Sequence, residues 1–388
     1  MRARTYKNLH LEQIHLGLTL TEAVESEVRA RDAKRIVIVA SKTFSRETAH
    51  VDDVADILGS RCAGRFDQTV EHVPRAAVFG LAQYLRERDA DLVLTIGGGT
   101  PIDTVKMALL CLAEGLKEPG ELDRFAISVK EDGSRHSPKV KCAPFRQIVA
   151  PTTLSGAEFS DLAGCIDLQS QRKHLFTSPD IGAVSVILDP SITLHTPRDL
   201  WLSTGVRAID HAIETLCSTL PEPIAEAGAL QALRILNQSL PQNARSEDEL
   251  DARLDSQIGV WLACAGLNRV PYGASHGIGH QLGAVAGVPH GYTSCVMLPH
   301  VLAYNESSTE SPQRRIAEAL GKPNLSASTA VADLIKSLGM PTRLRDVGVE
   351  RSHFGAIASG SLSNPWVRAN PRMIDSEEQI LEILEHAY

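Results

Sequence analysis

The chain is predicted to fold as an N-terminal α/β domain followed by an all-α domain. Three observations lead to that class. Short β-branched runs alternate with helical periodicity through the first half of the chain. One of those runs feeds directly into a glycine triplet and then a helix. From Arg198 onward only helical periodicity persists, punctuated by Pro and Gly. With 388 residues the chain can bury two sizeable cores. The boundary is expected near 190–200, giving provisional domains 1–195 and 196–388.

Taken in order, 35–40 (Arg-Ile-Val-Ile-Val-Ala) is a short apolar run suited to a buried parallel strand. Residues 52–58 and 75–88 read as helices, the second carrying Ala77, Leu81 and Leu85 on one face. A second strand, 91–96, ends in Gly97-Gly98-Gly99, and a helix is expected over 101–113. Segment 117–146 is rich in Lys, Asp, Gly, Ser and Pro and reads as a loop or β-hairpin excursion. Strands follow at 148–150 and 184–188. Helices are then expected over 203–218, 224–238, 247–265, a histidine-bearing stretch from Ser275, 314–320, 327–338 and 376–386.

Composition narrows the function. Hydrophobic residues at 43% and charged residues at 22% fit a soluble globular protein. A net charge of -8 argues against general nucleic-acid affinity, which needs basic groups to neutralise phosphates. The seven cysteines are scattered, with no Cys-x-x-Cys, so a disulfide framework or structural zinc knot is not expected. No signal-like or membrane-spanning apolar run stands out, and a cytoplasmic location is expected.

Two regions carry chemistry. Gly97-Gly98-Gly99-Thr100 lies between a buried strand and a helix, where glycines let backbone approach phosphate and the helix N-terminus offers N–H groups to an anion. Asp103, near the start of that helix, is placed to bond cofactor hydroxyls or to favour the helix dipole. Thr152 and Thr153, after the 148–150 strand, place hydroxyls at a strand's carboxyl end. The second region runs from Ser275 to Asn305. His276 and His280 are four apart and share a helix face, and His290 follows beyond the Val288-Pro289 break. Each of Gly277, Gly279 and Gly283 costs a helix interior about 1 kcal/mol relative to Ala, so a packing or site reason is expected. Upstream, Arg207 and His211 also share a face, and Arg207 could pair with Asp210. Gly273-Ala274-Ser275-His276-Gly277 matches the G-x-S-x-G nucleophile elbow, but no strand precedes it and the match reads as accidental.

Together these residues resemble the iron-containing (group III) alcohol dehydrogenase family over nearly the whole chain. The resemblance rests on Gly97-Gly98-Gly99-Thr100-Pro101-x-Asp103-x-x-Lys106, Pro151-Thr152-Thr153 and Asp189-Pro190 in the first half. It continues through Gly205-x-x-Ala208-x-x-His211-Ala212-x-Glu214, His276-x3-His280-x9-His290-Gly291, Pro299-His300 and Asn370-Pro371-Arg372. It implies a Rossmann-like NAD(P)-binding domain, a helical catalytic domain of dehydroquinate-synthase-like architecture, hydride transfer in the cleft between them, and a homodimer. In metal-dependent members one Asp and three His hold iron or zinc. The matching histidines are His211, His276 and His290, with His280 the nearby proton donor or relay.

The Asp position is Arg207 here, and a guanidinium cannot ligate a metal and repels a divalent cation. Asp210 lies on another helix face from His211 and is expected to make a poor substitute. The shortened 151–158 segment resembles maleylacetate reductases, relatives that lack the Asp and work without a metal. The expected function is therefore NAD(P)H-dependent reduction of a small anionic enoate or carbonyl, with Arg207 orienting a carboxylate and His280 or His276 supplying a proton. Ser41, followed by Lys42, stands where a ribose-binding carboxylate often sits, so NADPH should be accepted alongside NADH. The rival expectations are a metal-dependent alcohol dehydrogenase or aldehyde reductase using the three histidines, and a non-redox lyase on the same fold.

Overall fold

The computed structural model describes residues 6–129, 135–168 and 172–388. They form two compact units, Met1–Thr196 and Pro197–Tyr388. Among the described residues no helix is long and apolar enough to cross a membrane.

The first unit contains β1 (Gln13–Leu16), α1 (Leu20–Arg31), β2 (Ile36–Ala40), α2 (Lys42–Glu47), α3 (His50–Leu58), β3 (Cys62–Phe66), α4 (Arg75–Glu87), β4 (Leu92–Gly97) and α5 (Gly99–Glu114). After these come the short pair β5 (Ser128–Val129) and β6 (Arg135–His136), then β7 (Gln147–Pro151), the hairpin β8 (Leu162–Asp167) and β9 (Arg172–Thr177), and β10 (Ala183–Leu188). Six of the strands make one parallel sheet in the order β1-β10-β7-β4-β2-β3. Its four central strands, β10, β7, β4 and β2, are buried at every position and read as largely apolar runs because both faces are covered. Ile36, Ile38, Leu94 and Ile148 point into a core shared with α1 and α3, whereas Val37, Val39 and Val93 point into another shared with α4 and α5. The 117–146 excursion includes the antiparallel β5–β6 pair, and its 130–134 portion lies outside the described residues.

Register decides what this unit can offer. Gly97 is level with Pro151, and Ala40 with Ile96. The carboxyl ends of β2, β4 and β7 therefore bring Ser41, the glycine triplet and Thr152–Thr153 to one edge. The chain leaves β2 for β3 on one side and returns to β4 on the other, so a topological switch point falls between Ser41 and Gly97.

Elements absent from the sequence reading have identifiable causes. Edge strands β1 and β3 are short and mostly not buried, so they lack an apolar signature. Helix α1 does announce itself, by a Thr19/Glu22 capping box.

The second unit is helical: α6 (Arg198–Leu216), α7 (Pro223–Arg245), α8 (Leu250–Ala263), α9 (Ala274–Ala286), α10 (His290–Asn305), α11 (Glu310–Ala319), α12 (Ala327–Ser337), α13 (Phe354–Leu362), α14 (Pro365–Arg368) and α15 (Glu377–Ala387). Helix α6 is its axis, buried at every position from Trp201 to Leu216 except Arg207. A helix buried on all sides presents each of its faces to a neighbour. Gly277 explains one glycine of α9: a Cβ there would lie 2.5 Å from Val367 Cγ2 and 3.0 Å from its backbone N, so only glycine lets α14 dock.

Candidate active site

At the sheet edge, α5 begins at Gly99 with Gly98 as its cap and no side chain closing the first turn. Its first N–H groups are thus left for a ligand. A Cβ at Gly98 would meet Thr153 Cγ2 at 2.9 Å and Oγ1 at 3.1 Å, so the strand–helix turn and the threonine loop form one close cradle. Thr152 N donates to Gly97 O at 3.0 Å, and Thr153 Oγ1 to Ser155 Oγ at 3.2 Å. Thr100 lies in the first turn, its carbonyl accepting from Thr104 Oγ1. Ser41 Oγ caps α2 by accepting from Phe44 N at 3.3 Å. An open helix terminus and a backbone without Cβ atoms let a phosphate approach closely here.

Asp103 is engaged by the protein itself. Oδ1 accepts from Lys106 Nζ at 3.0 Å and Oδ2 from Gly164 N at 3.3 Å, while Lys106 also reaches Leu162 O at 2.8 Å. Behind this group Glu158 is buried, with Oε2 lacking a hydrogen-bond partner. Burial pushes its carboxyl up to about 7, against the pull of Lys106 and with the push of Asp103.

In the helical unit α6, α9 and α10 build a buried charged cluster. His276 Nδ1 lies 2.7 Å from Glu214 Oε2, and its Nε2 lies 3.0 Å from His211 Nδ1. Glu214 Oε1 accepts from Ser275 N at 3.0 Å, so this carboxylate also serves the N-terminus of α9. Because a carboxylate only accepts, His276 Nδ1 carries a proton. Asp210, expected on another face from His211, joins the cluster anyway: its Oδ2 accepts from Ser275 Oγ at 2.8 Å and Ser294 Oγ at 2.6 Å, and stands 3.4 Å from His276 Nδ1. Adjacent positions on α6 leave the helix at different angles, and neighbours from α9 and α10 bring Asp210, Glu214 and His211 to one centre. Arg207 reaches Asp210 through a relay, its Nη1 donating to Ser294 Oγ at 3.1 Å.

Electrostatics balance the group. Burial works to strip the His276 proton, and Arg207 adds to that, but the Asp210 and Glu214 carboxylates hold the proton and raise the pKa. Burial would likewise protonate Asp210; the His276 and Arg207 charges and the Ser294 hydrogen bond keep its pKa low. Two carboxylates thus face the Nδ1–H of His276 and a guanidinium. Ser275, fully buried and committed to Asp210, is no exposed nucleophile.

The other two histidines are placed by ring contacts. The His280 ring lies 4.9 Å from Trp366, which also stands 5.6 Å from His276. His290 opens α10, with its ring 6.5 Å from that of His280. Among the described residues, the close set of metal-capable atoms is Asp210, Glu214 and His276, all within 4.8 Å of one another. The expected His211–His276–His290 set is not that set. His276 Nδ1 bonds a carboxylate, as the second nitrogen of a metal-bound histidine does, but the Arg207 guanidinium in the place of the expected acid cannot ligate and its fixed charge opposes a divalent cation.

Sequence alone does not mark Glu214, Ser275, Ser294, Asn364 or Trp366 as site residues. Glu214 ends the Gly205-x-x-Ala208-x-x-His211-Ala212-x-Glu214 motif; the serines and Asn364 have no local signal, since each acts on a partner 65 or more residues away.

Comparison with known proteins places this architecture. Residues 12–190 match the model for iron-containing alcohol dehydrogenase, and 201–388 that for the C-terminal part of the Fe-containing alcohol dehydrogenase family. The chain is 32% identical to Dehydrogenase FUM7 of Gibberella moniliformis, over 96% of this chain and 95% of that protein. It is 29% identical to a maleylacetate reductase of Sphingobium indicum, over 88% and 86%. The crystal structure of maleylacetate reductase from Agrobacterium tumefaciens superposes with a TM-score of 0.83 at 25% identity, covering 100% of this chain and 99% of that one. The chain therefore belongs to the iron-containing alcohol dehydrogenase family, in its maleylacetate-reductase-like branch, and is an oxidoreductase.

Proposed function

We propose that this protein is an NAD(P)H-dependent reductase of a small anionic enoate or carbonyl compound and that it works without a metal. The observation that carries the reading is Arg207. Its guanidinium is half-buried on α6 and spends one hydrogen bond on Ser294 Oγ. Burial pulls its pKa below the ordinary value while Asp210 and Glu214 push it up. A guanidinium stays charged regardless, and its remaining N–H groups suit a bidentate carboxylate.

A reduced nicotinamide, when bound, supplies the hydride. The electron pair displaced from the substrate's C=C or C=O π bond then takes a proton from the His276–His211 pair. Glu214 holds His276 in the orientation that hands the proton to His211, and solvent restores it afterwards. Arg207 fixes the substrate carboxylate and offsets the developing negative charge. Ser41 and Lys42, at the end of β2, carry no carboxylate to repel a 2′-phosphate, which supports use of NADPH as well as NADH. Family membership supports a homodimer, which light scattering measures.

The deciding experiment is a cofactor-oxidation screen across keto acids, enoates and uncharged aldehydes, run before and after chelation. Turnover of acidic substrates that survives chelation supports the reading. Turnover only of uncharged aldehydes, restored by iron or zinc, refutes it.

A further inference from the structure

His280 and His276 stand as alternative proton donors in the sequence, and the contacts of Asn364 separate them. Asn364 caps the short helix α14: its Oδ1 accepts from Trp366 N at 3.0 Å. A backbone N–H only donates, so this bond fixes which end of the amide is oxygen. The other end, Nδ2, lies 3.4 Å from Gly277 O, and a carbonyl only accepts. Two independent bonds therefore orient the amide the same way. Nδ2 also lies 3.2 Å from His280 Nδ1. A donor faces that nitrogen, so Nδ1 must accept and the ring proton resides on Nε2. Protonating Nδ1 would set two donors head to head. The Trp366 ring, 4.9 Å away and inclined by 37°, lies against the imidazole and limits its rotation.

We propose that Asn364 is a positioning residue that locks His280 as its Nε2–H tautomer. Resting on the reductase reading above, His280 then serves as a hydrogen-bond donor to the substrate oxygen that gathers negative charge. It is not the acid that surrenders a proton, which falls to the His276–His211 pair. The same short helix contributes both the amide and the indole, and its docking depends on Gly277.

The test uses Asn364→Asp in the full-length protein. Aspartate is a good helix cap, so the bond to Trp366 N is retained; the 3.4 Å bond to Gly277 O is lost, and thermal unfolding checks that the fold survives. The carboxylate cannot donate, and it would draw the proton onto His280 Nδ1. Nitrogen-15 NMR of histidine-labelled protein, with the His280 signal assigned through His280→Gln, reports the tautomer without any substrate. The expected result is a proton on Nε2 in the wild type, reversed in Asn364→Asp. The kcat should fall at least tenfold with KM changed less than about threefold, since the donor acts on the developing charge. A wild-type proton on Nδ1 overturns the proposal, as does an unchanged kcat once the tautomer has reversed. If the tautomers are as expected but no acidic substrate is reduced, the reductase reading fails and the tautomer assignment stands.

Discussion

Replacing Arg207 with Ala probes the substrate-binding logic most directly. A guanidinium has five N–H donors, and Ser294 Oγ takes one at 3.1 Å, which leaves four for a ligand. A bidentate carboxylate uses two of them, at roughly 1.5–3 kcal/mol each for charged hydrogen bonds. Taking the lower figure because Arg207 is only half-buried, the loss is about 3 kcal/mol, or on the order of 150-fold in kcat/KM. Initial rates of cofactor oxidation, with an acidic substrate and an uncharged analogue of equal size, give the comparison. The acidic substrate should suffer the full loss and the uncharged one less than about threefold. Arg207→Lys keeps the charge but not the fork, so it should recover part of the loss. Arg207 also lowers the His276 pKa, so its removal should move the alkaline limb of activity to higher pH. Equal losses for both substrates would refute the carboxylate clamp and leave Arg207 as a counter-ion to Asp210.

His276→Gln deprives the buried Glu214 carboxylate of its 2.7 Å partner and should cost about 3–5 kcal/mol, read by thermal unfolding. Because the folded pKa of His276 is raised above 6.5, its stabilisation is complete below pH 6.5 and lost as pH rises through the raised value; the gap between variant and wild type should narrow accordingly. Glu158→Gln should do the reverse. With the carboxyl raised from 4.5 to about 7, the wild type loses stability across that window, so the variant's relative advantage should grow to roughly 3 kcal/mol above pH 7 (2.5 × 1.36). Gly98→Ala pushes a methyl to within 2.9 Å of Thr153 Cγ2 and should weaken NADPH binding about tenfold by fluorescence titration, a cost of about 1.4 kcal/mol. Elemental analysis should find well under one iron or zinc per chain, and chelation should leave kcat unchanged; stoichiometric metal with loss on chelation would refute the metal-free reading.

Much of this protein is legible in its residue order, because the determining signals are local. Unbroken β-branched runs such as 36–40 mark strands covered on both faces, and the glycines at 97–99 mark where the β4–α5 turn must approach another group closely. The Arg207 substitution is visible without coordinates, and it bears on the metal before any geometry is known. Only the tertiary structure could decide the rest. Edge strand β3 has no apolar pattern to betray it, because its neighbour on one side supplies the pairing. Helical angles place Asp210 and His211 on different faces, yet α9 and α10 flank α6 and bring His276, Ser275 and Ser294 to Asp210 and Glu214. The state of His280 depends on Asn364, 84 residues away, and on a helix cap that orients its amide. Periodicity records which way a side chain leaves its own helix; what it meets, and which nitrogen holds the proton, is set by partners contributed from elsewhere in the chain.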